Sequence, residues 1–274
     1  MRRGLNKRPF TRHIFLLCTM VTYGLCAARA SAQNFLHKLD LPGPVHSAGL
    51  DRPGDLYVVI QGGEIQKVSK DGQLLGKRQY TATPTLFDPR DGVRSFAYFR
   101  NSNTFEFLSA DLTDADSHRV LPEFAISPWL VCPTKNEVWI FDAADYSMKK
   151  TGASFGLIER EFALKGISPA DSLNFSYLRE YQNFLFLLSP QRGILAINSL
   201  GTVTRTLGKP GLRAFHFLGE EVYYHEGNQL HLTDLYTSET RTITLPYACD
   251  EALLSDERLF LIRGNRLEIF SYQP

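Results

Sequence analysis

Short apolar runs, each broken by a polar turn, follow one another from about residue 45 to the last residues of the chain. Three stretches align without a gap: residues 57–69 (YVVIQGGEIQKVS), 222–234 (VYYHEGNQLHLTD) and 259–271 (LFLIRGNRLEIFS). Each reads as an apolar strand, a Gly-Gly or Gly-Asn pair, and a second strand of alternating character. Glycine leading a two-residue loop fits a type II′ turn, whose twist matches the strands that it joins. That place requires positive φ, which glycine tolerates at little cost. Weaker copies occupy residues 96–109, 138–151 and 184–199.

A further apolar run precedes every hairpin: HSAGL, TLFD, SPWLVC, FSYLRE, RAFHFL and EALLS. A polar turn and one more strand follow most of them, as in residues 68–75 (VSKDGQLL) and 197–204 (INSLGTVT). Four strands repeated every ~40 residues are the mark of a propeller blade, too small to bury its own faces and therefore stacked on its neighbours. The sixth unit ends after its third strand, and residues 34–42 (NFLHKLDLP) have no other partner. The expected fold is all-β: a single six-bladed β-propeller over residues 33–274, with four-stranded blades and the last blade closed by the N-terminal strand. Such sharing ties first blade to last and covers exposed sheet edges.

Residues 54–75 (GDLYVVIQGGEIQKVSKDGQLL) resemble a blade of the NHL-repeat and TolB-like six-bladed propellers. Those blades carry Gly-x-Leu/Ile-Tyr-Val before the turn and a polar-Gly turn after the third strand, and parts of the fourth unit share this pattern. The resemblance implies the architecture and brings no family-specific active site.

The first 32 residues have a different character. Arg2, Arg3, Lys7, Arg8 and Arg12 lead an apolar stretch over residues 14–28, and Ala30-Ser31-Ala32 fits the small-residue cleavage rule. This is the layout of a secretory signal peptide, which predicts a periplasmic or extracellular protein cleaved near Ala32. The stretch is interrupted by Thr19, Thr22, Tyr23 and Gly24 and falls short of the ~20 residues a membrane helix needs, so no span is expected after cleavage. Removing the leader's six Lys or Arg from the total of 30 leaves 24 bases against 29 acids, no surface for nucleic acid. Cys132 and Cys249 are expected as separate buried thiols, since two distant cysteines make no disulfide framework.

Candidate chemistry is sparse. Gly62-Gly63 is followed by a strand, whereas phosphate loops feed a helix. His225 and His231 flank the Gly227-Asn228 turn on adjacent rungs, which sends their side chains to opposite sides of the blade. Asp111, Asp114 and Asp116 fall in or beside an outer turn without the spacing of a calcium loop. Position is the remaining guide. Loops entering the innermost strands carry His46, Asp88, Arg90, Asp171, Asn174, Arg213, Asp250 and Glu251, and His216 lies on an innermost strand. Of these, His46, Arg90, Asn174, Arg213, His216 and Asp250 are the expected ligand contacts at the channel mouth, where mixed charge suits a polar ligand or peptide. The expectation is a monomeric, exported, non-enzymatic binding or scaffold protein without cofactor, whose partner is a protein or peptide of the envelope. The alternative is a propeller enzyme, a metal-dependent lyase or hydrolase, with three or more His, Asp or Glu converging on the axis.

Overall fold

The computed structural model describes residues 33–273 except 91, 169, 170 and 172; the leader reading falls outside them. Twenty-four strands form six antiparallel sheets of four. Their inner strands are Val45–Leu50, Leu86–Asp88, Pro128–Pro133, Tyr177–Tyr181, His216–Leu218 and Glu251–Leu254, and each sheet continues outward in chain order. Blade six differs in taking its outer strand from the N-terminal side, where Phe35–Asp40 pairs with Arg266–Ser271. Phe35 faces Phe270, Asp40 faces Arg266, and the Leu41 amide donates to the Asn265 carbonyl at 2.7 Å. The six-bladed propeller and its closing strand are as expected.

Several middle strands are buried along their whole length because both of their faces are covered by neighbouring blades. Leu56–Ile60, Val138–Asp142 and Gly193–Ile197 are buried at every residue, whereas the outer strand Leu74–Gln79 is exposed or half-buried along its length. The core therefore lies between sheets. Leu253, Phe260 and Ile262 of blade six pack with Leu56, Val58 and Ile60 of blade one, which seals the ring. Each such side chain contributes roughly 1.5–3 kcal/mol when taken from water, and much of that gain needs the adjacent blade.

The turns explain most of the glycines that mark the repeat. Glu226 faces Gln229 and Arg263 faces Arg266 across two-residue loops, with Gly227 and Gly264 at φ 60° and 62°. The first hairpin departs from the gapless alignment. Val59 faces Ile65, not Gln66, so three residues (Gln61, Gly62 and Gly63) form its loop. Gly63 has φ 94°, and a Cβ there would sit 2.7 Å from the Tyr80 carbonyl oxygen and 2.8 Å from that of Ala82. Close backbone approach is the physical reason for the second glycine. The later turns of blades one and four coincide, as their sequences predict. Ser69 Oγ accepts from the amides of Asp71 and Gln73, and Asn198 Oδ1 accepts from those of Leu200 and Thr202. Cys132 and Cys249 are unbonded thiols, the first buried and the second only half-buried, because Cys249 stands in the loop ahead of the sixth inner strand.

Candidate functional site

Inner strands of a propeller run the same way along the axis, so each begins at one mouth of the channel and ends at the other. This splits the expected site residues into two groups.

At the entry mouth, His46, Gln61, Arg213, Asp250 and Glu251 line a cavity of about 290 Å³ between blades five, six and one. Arg213 and His46 stand exposed on its rim. Glu251 opens the sixth inner strand and His216 the fifth, which brings His216 Nε2 to 3.3 Å from Glu251 Oε1. Both side chains are nearly buried, at 11% and 12% exposed, yet neither of these two atoms completes a hydrogen bond among the described residues. Blades five and six are locked beneath them. The Tyr223 hydroxyl donates to the Leu254 carbonyl at 3.2 Å and accepts from the Leu254 amide at 2.9 Å, while its ring tilts against that of His216. Asp250 is partly structural, since its Oδ2 accepts from the Gly264 amide of the sixth hairpin at 2.7 Å.

His225 joins this group, a membership the sequence reading missed. Its pairing is the expected one, with His225 opposite Leu230 and Tyr224 opposite His231. His231 stacks on Tyr224, and His225 lies within the field of Glu251. Burial pushes the His225 imidazole below its ordinary value of 6.5, with Glu251 opposing. The unfolded chain therefore takes up this proton first as pH falls, so stability is full above about pH 6.5 and is lost below it. The loss is at most about 1.4 kcal/mol for each pH unit. His225→Gln is expected to flatten the decline of the melting temperature between pH 6.5 and 5.5; an unchanged slope would refute the assignment.

Arg90 and Asp88 are not at this mouth. Leu86–Asp88 is itself the second inner strand, so the chain has already crossed the channel when it reaches them. They stand at the exit mouth. Asp88 is wholly buried; Arg90 Nη2 donates to its Oδ2 at 2.9 Å and to the Pro133 carbonyl at 2.8 Å. The other end of the guanidinium reaches the Glu180 carbonyl and its carboxylate. Burial alone would raise the Asp88 carboxyl, but Arg90 and then Arg179 outweigh it and hold it below the ordinary value. Arg90 thus joins blades two, three and four across the channel, a tie more than a ligand contact.

Asn174 is exposed in the loop before the fourth inner strand, and Asp171 in the same loop is paired with Arg192 at 3.9 Å. Among the outer acids, Asp111 accepts from Ser109 Oγ at 2.6 Å and from the Thr113 amide and hydroxyl, which hold its carboxyl down to about 2. Asp116 contacts His118 at 2.9 Å. No group of three His, Cys, Asp or Glu is placed to hold one metal ion among the described residues. A Gly-x-Ser-x-Gly match, Gly152 to Gly156, also escaped the sequence reading. It is the turn between two strands of blade three, with Ser154 exposed and without hydrogen bonds among the described residues. A nucleophile elbow needs a strand leading into a helix, so this match carries no hydrolase argument. No helix among the described residues is long and apolar enough to cross a membrane.

Solved structures share this ring. The WD40 domain of Neurospora crassa Pan2 superposes with a TM-score of 0.59 at 9% identity, covering 88% of this chain and 95% of that one. The β-propeller domain of Myceliophteria thermophila Cps50 (Swd1) gives 0.55 at 11% identity over 88% and 99%. The likeness is one of fold. BamB from Moraxella catarrhalis is a more distant match, at 0.45 and 8% identity over 88% and 100%. No family model matches the chain, and no curated protein sequence does.

Proposed function

We propose that the chain is an exported binding propeller of the NHL or TolB-like type, which recognises a peptide or other polar ligand at its entry mouth. One observation carries this reading: Glu251 lines a cavity rimmed by His46, Arg213 and Asp250 and faces His216 at 3.3 Å, and His216 Nε2 and Glu251 Oε1 are withdrawn from solvent without a hydrogen bond among the described residues. Buried polar groups are satisfied in nearly all native proteins, so an unsatisfied pair at an opening favours a partner that supplies the missing donor and acceptor. A peptide brings both in its backbone. The supporting surface is rigid, because each lining loop is anchored to a strand packed between two blades. Export is supported by the leader sequence, and the binding role by the ring of repeated loops.

The test is capture from the envelope or secreted fraction with immobilised full-length protein, followed by mass spectrometry and titration of the captured peptide or protein. Binding to the native chain is expected to weaken by about 10-fold or more in His216→Gln and in Glu251→Gln, the loss of one charge-assisted bond each. A captured partner that binds both variants as tightly as the native chain would sink the entry-mouth reading.

A further inference from the structure

The exit mouth holds a cation whose charge the fold meets only at the edge of ion-pair range. Arg179 projects from the fourth inner strand and is 8% exposed, and its Nε is buried without a hydrogen-bond partner among the described residues. Its nearest anionic atom is Asp88 Oδ2 at 4.0 Å from Nε, and that carboxylate is already engaged by Arg90 through both oxygens. Of the five N–H donors of this guanidinium, the Nε–H is withdrawn from water without an acceptor, which is costly, and the Nη groups remain to meet a ligand. Yet the group is held firmly in place. Its Cζ lies 5.3 Å from the centre of the Phe217 ring, and Phe217 is stacked on Tyr181 at 4.1 Å and 13°. The Tyr181 hydroxyl is fixed in turn on the Gly219 carbonyl.

In front of this shelf is a cavity of about 540 Å³, lined from blades one, four, five and six and by Arg90. Leu50, Leu218 and Leu254 provide an apolar wall, and Arg52 and Arg90 add positive charge. Of the acids that border it, Glu257 is paired with Lys70 at 2.8 Å, Asp51 faces Lys67 at 3.3 Å, and Asp256 is exposed. We infer that the exit mouth is an anion site, which takes a small organic molecule by a carboxylate or phosphate head on Arg179 and seats its apolar body against Leu218 and Leu254. A planar guanidinium donates paired hydrogen bonds to either oxyanion. The cavity has the size of a small-molecule pocket. It shares no lining residue with the entry-mouth cavity, so the two sites stand or fall separately.

The test is a calorimetric titration of the full-length protein with phenylacetate and, separately, with phenyl phosphate at one fixed chloride concentration. A parallel titration of ¹⁵N-arginine-labelled protein follows the arginine Nε–H resonances. Saturable binding of at least one ligand is expected with a Kd below about 1 mM. The arm that binds identifies the head group, and the same ligand should slow solvent exchange of a single buried arginine Nε–H. Arg179→Lys is expected to weaken binding by about tenfold or more, because an ammonium cannot present the planar fork. If that variant fails to fold, the arginine resonance of the native protein still decides the matter. Absence of saturation with both ligands, or saturation that leaves every buried arginine resonance unmoved, would overturn the site, as would an Arg179→Lys protein that binds as tightly as the native one.

Discussion

Asp88→Ala is expected to lower the unfolding free energy by about 3–5 kcal/mol, the range for removing one partner of a buried ion pair. Asp88 has no exposed side-chain surface, and it is the carboxylate that Arg90 and Arg179 share at the exit mouth. Its removal leaves two guanidinium groups facing each other with only Glu180, itself 3.4 Å from Arg90, to offset them. Desolvation of the arginines is then uncompensated, and the Arg90 amide loses its acceptor at Asp88 Oδ1 as well. Urea denaturation with an unchanged m-value would measure the loss, and a change below about 1 kcal/mol would refute it. The damage should be non-additive. Asp88→Ala combined with Arg90→Ala removes a charge of each sign and is expected to cost less than the sum of the two single changes. The pH dependence has a fixed sign. Because the Asp88 carboxyl is held below its ordinary value of 3.8, its stabilisation is complete above that pH and fades only as pH falls through the lower folded value. The difference between native chain and Asp88→Asn should therefore be constant from pH 5 to 7 and shrink only in strong acid.

The same cluster shows how far residue spacing can locate a site. Six blades and the closing strand are legible because they depend on pattern alone: apolar runs at strand length, glycines where φ must be positive, and one unit lacking its fourth strand. Which mouth a residue reaches depends on whether it precedes or follows an inner strand. In blade two that strand is only Leu86–Asp88, so an error of three residues carries Arg90 from one end of the channel to the other. Arg213 and Asp250 escape this error because they precede their inner strands, and Glu251 because it opens its own. Arg179 was readable as a charge between Tyr177 and Tyr181 on one face of a strand, but its place at the edge of ion-pair range was not. That depends on Asp88 being taken by Arg90, a contact across the channel between blades two and four. His225 illustrates the converse. Hairpin register fixed its direction correctly, yet only the packing of blade five on blade six puts Glu251 in front of it.

Deleting Phe35–Asp40 is expected to abolish the cooperative unfolding transition or to cost on the order of 5 kcal/mol, comparable with the whole stability of an ordinary domain. The strand itself is largely exposed, so little of this loss comes from its own side chains. What disappears is the ladder to Arg266–Ser271, and with it the anchorage of Leu41, which is buried in the cluster shared by blades six and one. Blade six would be left as three strands with a free edge. Of that edge strand, Leu267, Ile269 and Phe270 are buried in the intact ring. Exposed apolar edges pair with other chains, so the deleted chain should elute in size-exclusion chromatography as larger oligomers or aggregates than the native protein. A synthetic peptide spanning residues 34–42 should restore the native elution and melting transition, because the lost strand pairs through main-chain groups that a separate chain can supply. Retention of a sharp, native-like transition by the deleted chain would show that the ring holds without its closing strand. Failure of the peptide to rescue an unfolded variant would place the strand's role in folding order instead of final stability.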